Sequence, residues 1–242
     1  MNYRHPVFAP YRELLAMLPE NRVPTAIELS TLADAFHLHF RFAASVTPLA
    51  AIDYEHGIQA TGIIPTRNEN VHDFMNALVW LTFPAFKTAL NHAHCRALVD
   101  NPLEARQRSP ARDALTVLDE SGVLVFTEER EFKRLLINRR WQELFVGKRQ
   151  ALAENTRFIV VGHSILEKLL APYPSITGKC LFIDGLPEET TRADQLASDA
   201  IACLTKPKQL PPLPVAGIPG WHPENHLPHF YDDRSVFRPF AH

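Results

Sequence analysis

Apolar residues along the chain recur mainly at helical spacing, and the densest run lies from Phe74 to Phe83 (FMNALVWLTF). There they fall on nearly every side of a helix, so that helix is expected to be buried. Asn70 can cap it, with Asp73 three residues on to complete a box-like end. Pro84 either kinks the helix or opens a second one at its first position. In that second segment Phe86, Leu90, Ala93 and Ala97 make an apolar stripe, and Lys87, Asn91 and His94 lie at i, i+4 and i+7 on a stripe beside it.

The flanking pattern predicts shorter elements. Tyr11 to Leu18 reads as a short helix stopped by Pro19. Thr25 and Glu28 form a T-x-x-E capping box ahead of Ile27, Leu29, Leu32 and Phe36. Phe40 to Val46 fits a strand or a helix end. Tyr54 to Pro65 predicts two short strands around Gly57 and Gly62, a hairpin. Asn101 to Arg112 reads as a polar, basic loop. Leu115–Leu118 and Val123–Phe126 read as a second hairpin around the turn Asp119-Glu120-Ser121-Gly122. Glu128 to Gln150 reads as one long helix with Phe132, Leu135, Leu136, Leu144 and Phe145 inward. Phe158 to Val161 predicts a strand entering the turn Gly162-His163-Ser164, then a helix from Ile165 to Leu170. Leu181–Ile183 predicts a strand and Arg192–Leu204 an amphipathic helix. From Lys206 onward prolines alternate with aromatics, which suggests an arm anchored by Trp221, Phe230, Tyr231 and Phe237. The fold expected is mixed α/β (α+β): a helix-rich single domain with short hairpins over residues 1–205, and a Pro-rich C-terminal arm, 206–242, packed on the same domain.

Composition narrows the class. The 242 residues are 46% apolar and 21% charged, ordinary for a globular chain able to bury a large core. A net charge of −2 gives no overall field towards nucleic acid or an anionic membrane. Cys95, Cys180 and Cys203 are dispersed and odd in number, without C-x-x-C, so neither a zinc ribbon nor a disulfide framework is indicated. The N-terminus does not read as a signal peptide, and the apolar run is too short to span a bilayer, so a reducing, cytoplasmic setting is expected.

Polar side chains crowd the apolar run. His72 and Asn76 share one helix face; Lys87, Asn91 and His94 share another. If Pro84 folds one segment on the other, the two groups converge, and a buried polar cluster must be bonded internally or hold a ligand. His72, Asn76 and Lys87 are the candidate catalytic residues. His94, Asn91 and Asp73 are the candidate ligands for one divalent metal ion. Arg67, Arg112 and His163 are the candidate substrate contacts. Asp119 and Glu120, carboxylates beside a tight turn, could complete a metal site or hold Arg67 or Arg112, but they read mainly as a surface turn. Val160 to Leu166 resembles the approach to a nucleophile elbow, but Leu166 stands where a small residue is required. Arg130, Lys133, Arg134, Arg139, Arg140, Lys148 and Arg149, with Arg106, Arg108 and Arg112 upstream, suggest a phosphate-binding face. Glu128, Glu129, Glu131 and Glu143 offset it, which favours a solvated, ion-paired helix. His222, His226, His229 and His242 are irregularly spaced loop histidines.

Four segments, PTRNENVHDFMNALVWLTFPAFKTALNHAH, RDALTVLDESG, VVGHSILEKL and PLPVAGIPGW with its FYDDRSVFRP tail, resemble a bacterial family of domains of unknown function, numbered three thousand and twenty-five. The resemblance implies one domain over nearly the whole chain and no particular activity. A second resemblance is to His-Me-finger nucleases, in which a hairpin and a following helix grip one divalent ion. It implies His72 or His56 as the base and His94 with Asn91 on the metal, although the paired His-His or Asp-His of that pattern is missing.

The function expected from these residues is metal-assisted hydrolysis of a phosphate-containing substrate, centred on residues 65–98. The alternatives are a non-catalytic protein that binds a small anionic ligand or a partner, and a purely structural polar network. A nucleic-acid partner stays open, and a membrane is not expected.

Overall fold

The computed structural model describes residues 3–47, 50–99 and 109–240. In chain order these form α1 (Arg12–Ala16), α2 (Ala26–Ala35), β1 (Arg41–Ala44), α3 (Ala51–Thr61), β2 (Ile63–Thr66), α4 (Val71–Thr82), α5 (Pro84–Val99) and α6 (Pro110–Ser121). Then come β3 (Gly122–Phe126), α7 (Arg130–Ile137), α8 (Arg149–Asn155), β4 (Arg157–Val160), α9 (His163–Lys168), β5 (Thr177–Ile183), α10 (Thr190–Ile201) and β6 (Pro212–Pro214). The architecture is helix-rich α+β, and it divides into two compact units. One comprises Pro10–Thr116 and Glu189–Pro207; the other comprises Asn2–Ala9, Val117–Glu188 and Lys208–His242. No helix among the described residues is long and apolar enough to cross a membrane.

The first unit is built on helices whose ends are written in the sequence. Thr25 Oγ1 accepts from the Glu28 amide at 3.3 Å and the Glu28 carboxylate accepts from the Thr25 amide at 2.8 Å, closing the capping box of α2. Asn70 Oδ1 accepts from the Asp73 amide at 2.9 Å and starts α4. Phe74, Met75 and Ala77–Leu81 of α4 are all buried, as its all-round apolar pattern requires. Pro84 begins a new helix, and the α5 amides it leaves unpaired are taken up by a distant side chain. Asp194, on α10, accepts from Ala85 N at 2.9 Å and Phe86 N at 2.8 Å. Burial pushes the Asp194 carboxyl up, and these two donors pull it partly back. α5 packs along α10 and α3.

Residues 54–65 are not a hairpin. They are most of α3 followed by β2, which pairs parallel with β1, Arg41 opposite Ile63. Parallel neighbours need a crossover, and α3 supplies it. Gly62 is the helix terminator: it has φ +68° and donates from its amide to Ile58 O, and a Cβ there would meet His39 O at 2.9 Å.

In the second unit the sheet order is β4-β3-β5-β6, with β3 parallel to β5 and antiparallel to β4. Every residue of β3 is buried, so its unbroken apolar run is that of a strand covered on both faces. The expected strand Leu115–Leu118 is instead part of α6. Pro110 opens that helix, Ser109 Oγ accepts from the Arg112 amide at 3.3 Å, and Ala114, Leu115 and Leu118 are its buried face. The second hairpin is therefore a helix running straight into a strand.

The long helix expected over 128–150 is also broken. α7 ends at Ile137 with Asn138 as its C-cap, Arg139 takes φ +53°, a π-turn spans Glu143–Gly147, and α8 starts at Arg149. The inward residues are nonetheless those expected, with Phe132, Leu135, Leu136, Leu144 and Phe145 all buried. The proline-rich stretch packs in this unit, where Tyr231 and Phe237 are buried. Its centre is Asn225, which donates to Ala216 O (2.8 Å) and Ile218 O (2.6 Å) and accepts from Arg149 Nη2 (3.1 Å).

Candidate functional site

In the first unit the two polar groups on either side of Pro84 do meet. Lys87 Nζ donates to Asn76 Oδ1 at 2.8 Å and lies 5.3 Å from the centre of the Trp80 ring. Asn76 Nδ2 donates onward to the Tyr54 hydroxyl at 3.0 Å. Asn91 Nδ2 donates to the Glu55 carbonyl (2.9 Å) and carboxylate (2.6 Å). The cluster ties α3 to α4 and α5. It is deep: Lys87 and Asn91 are 3% exposed and His94 is 6% exposed.

Of the remaining candidates of this unit, Asp73 and Arg67 engage each other. Asp73 is held by Arg67 through its guanidinium at 2.7 and 3.0 Å and through its backbone amide at 2.7 Å. Burial works to raise the Asp73 carboxyl, but the Arg67 hydrogen bonds outweigh it and hold it below the usual carboxylate range. A carboxylate so paired is first a helix-start clamp. His72 sits half-buried one turn before Asn76 on α4. Arg112 lies in the first turn of α6, and its buried Nε has no hydrogen-bond partner among the described residues. His56 is exposed on α3, where the nuclease resemblance needed a hairpin, so that resemblance fails. Arg106, Arg108, His242 and most of the 101–112 loop lie outside the described residues.

The second unit assembles a different group. His163 opens α9 and is 5% exposed. Its Nε2 is 3.5 Å from Glu120 Oε2 and its Nδ1 is 3.8 Å from Asp119 Oδ1. Ser164 donates its hydroxyl to the same Glu120 oxygen. The His163 ring beside it holds the Glu120 carboxyl down to about 2, against the opposing effect of burial. Two glycines set this geometry. Val161 N and Gly162 N both donate to Gly122 O, at 3.0 and 2.9 Å. A Cβ on Gly162 would meet Gly122 N at 2.4 Å, so the start of α9 lies directly against the α6–β3 junction.

A family model described as protein of unknown function (DUF3025) matches residues 40–240. The chain belongs to that family. No curated protein and no solved structure matches it. For this DUF3025 chain the chemistry must therefore be argued from its own side chains. Of the expected site residues, the fold joins Asn76 with Lys87, Arg67 with Asp73, and His163 with two carboxylates. Asp119, Glu120 and Ser164 were not among the expected site residues. The signal was present in the segments DESG and GHS, each carrying a glycine that permits backbone contact. Two histidines of the arm serve local packing: His222 stacks on Phe230 with centroids 4.6 Å apart, and His226 Nδ1 lies 2.7 Å from Pro223 O.

Proposed function

We propose that the protein is a metal-assisted hydrolase of a phosphate-containing substrate, with one divalent ion held by Glu120 and His163. The observation that carries this is the 3.5 Å separation of Glu120 Oε2 and His163 Nε2. Two ligand atoms bound at about 2.1 Å in tetrahedral array stand about 3.4 Å apart, so little movement is needed to share one ion. Asp119 Oδ1 stands 3.8 Å from the far ring nitrogen, beyond hydrogen-bonding distance, and adds negative charge beside the site. Ser164 restrains the Glu120 oxygen. A divalent ion at this position would activate water and offset charge on phosphoryl oxygens. The buried thiols of Cys95 and Cys180 support a reducing, cytoplasmic setting.

The cluster of Tyr54, Asn76, Lys87, Asn91 and Glu55 is read as a structural network, favoured by the 3% exposure of Lys87 and Asn91. Calorimetric titration of the purified, metal-stripped protein with Zn²⁺, Mn²⁺ and Mg²⁺, paired with hydrolysis of a nitrophenyl phosphodiester, tests both readings. One equivalent should bind to the wild type and to Lys87→Met, and binding and hydrolysis should fall together in His163→Ala and in Glu120→Gln. Metal affinity unchanged in Glu120→Gln, or no binding by the folded wild type, sinks the proposal.

A further inference from the structure

We propose that a cavity of about 500 Å³ in the second unit binds a multiply charged oxyanion, a phosphate or dicarboxylate group on a small molecule. Its walls come from the segment after α7 and from the C-terminal arm, and three arginines line it: Arg139, Arg140 and Arg234. The two acids on the wall are already engaged. Glu143 pairs with Arg140, and Asp232 accepts from Gln142 Nε2 at 2.5 Å. Among the described residues no hydrogen bond or ion pair engages the Arg234 guanidinium. Three arginines against two carboxylates leave the wall net positive, and guanidinium forks match the oxygens of phosphate and carboxylate. The volume falls in the range of small-molecule sites.

The backbone supplies a second, independent reason. Arg139 closes α7 in a Schellman turn: its amide donates to Leu136 O at 3.0 Å and that of Arg140 to Leu135 O at 2.9 Å. Its φ of +53° is the left-handed conformation that glycine adopts most easily. An arginine kept in that conformation indicates a demand for its side chain. Part of the demand is met by the tail: Arg139 Nη1 donates to Pro239 O at 3.2 Å and the guanidinium lies 5.9 Å from the Phe240 ring centre. A guanidinium has five donors, so this clamp leaves others for a ligand. The site shares no residue with Glu120 and His163, and it stands or falls separately from the hydrolase reading.

The test is titration with pyrophosphate and, separately, with citrate, in EDTA and against sodium chloride of equal ionic strength, followed by calorimetry and thermal shift. At least one of the two should stabilise the wild type, and which one does so identifies the oxyanion. Arg234→Ala should lose about tenfold or more in affinity, with partial retention in Arg234→Lys. Arg139→Gly keeps the left-handed turn, so its weakened binding is read in a folded protein. His163→Ala should bind as the wild type does. The proposal is overturned if neither oxyanion acts beyond the chloride control, if Arg234→Ala binds unchanged, or if His163→Ala abolishes binding.

Discussion

Replacing Gly162 by alanine places a methyl carbon 2.4 Å from Gly122 N and 2.6 Å from both Cα and the carbonyl carbon of Ser121. Ordinary carbon contacts lie at about 3.5–4.0 Å, so the two backbones must part by about 1 Å. The atoms met are backbone and have no rotamer to yield. The backbone angle itself is not at issue, since Gly162 has φ −70° and any residue adopts that. The cost is therefore one of space: about 1–3 kcal/mol for overpacking, and about 1 kcal/mol for each of the two hydrogen bonds into Gly122 O that is strained. A total of about 2–5 kcal/mol is a large share of a typical stability of about 5–15 kcal/mol. With a urea slope of about 2–3 kcal/mol per M, the midpoint should fall by about 0.7–2.5 M, read by far-UV circular dichroism. The same parting separates Glu120 from His163, so the ring resonances of His163 should shift. Gly57→Ala is the control: it lies inside α3 with nothing within 4 Å of the added carbon, and it should gain about 0.5–1 kcal/mol. A Gly162→Ala protein within about 0.5 kcal/mol of the wild type would refute the close-approach argument, because surface-like substitutions stay in that range.

Other outcomes follow from particular groups. Asn225→Ala leaves the carbonyls of Ala216 and Ile218 and one Arg149 donor without their partner, and should cost about 2–4 kcal/mol; hydrogen exchange over 216–231 should rise above that of α4. Asp194→Ala orphans the amides of Ala85 and Phe86 at the start of α5, for about 1–2 kcal/mol by thermal unfolding, with Asp194→Asn retaining part of the contact. Asp73 has its pKa depressed in the folded state, so its pairing with Arg67 stabilises above the ordinary carboxylate range and is lost as pH falls through the folded value. Arg67→Ala should move acid unfolding, followed by circular dichroism at low salt, to higher pH. An unchanged acid midpoint would mean the pair contributes nothing, as many half-exposed pairs do.

What the sequence determined by itself is local. Thr25 with Glu28 and Asn70 mark helix starts because a cap is satisfied within a few residues of itself, and Pro84 marks one because its fixed φ suits the first helical position. The all-round apolar pattern of α4 placed it in a core for the same kind of reason. The convergence of Asn76 and Lys87 was also legible, since one proline joint separates them. Tertiary structure decided the rest. Short apolar runs such as Leu115–Leu118 fit helix and strand equally, and only the neighbours of α6 settle which face is buried. Gly62 and Gly122 read as turn glycines in one dimension. In three dimensions one ends a helix against His39 and the other receives the start of α9. Glu120 and His163 become neighbours through that glycine contact, between segments distant in sequence, and no spacing rule connects residues whose proximity depends on two backbones touching.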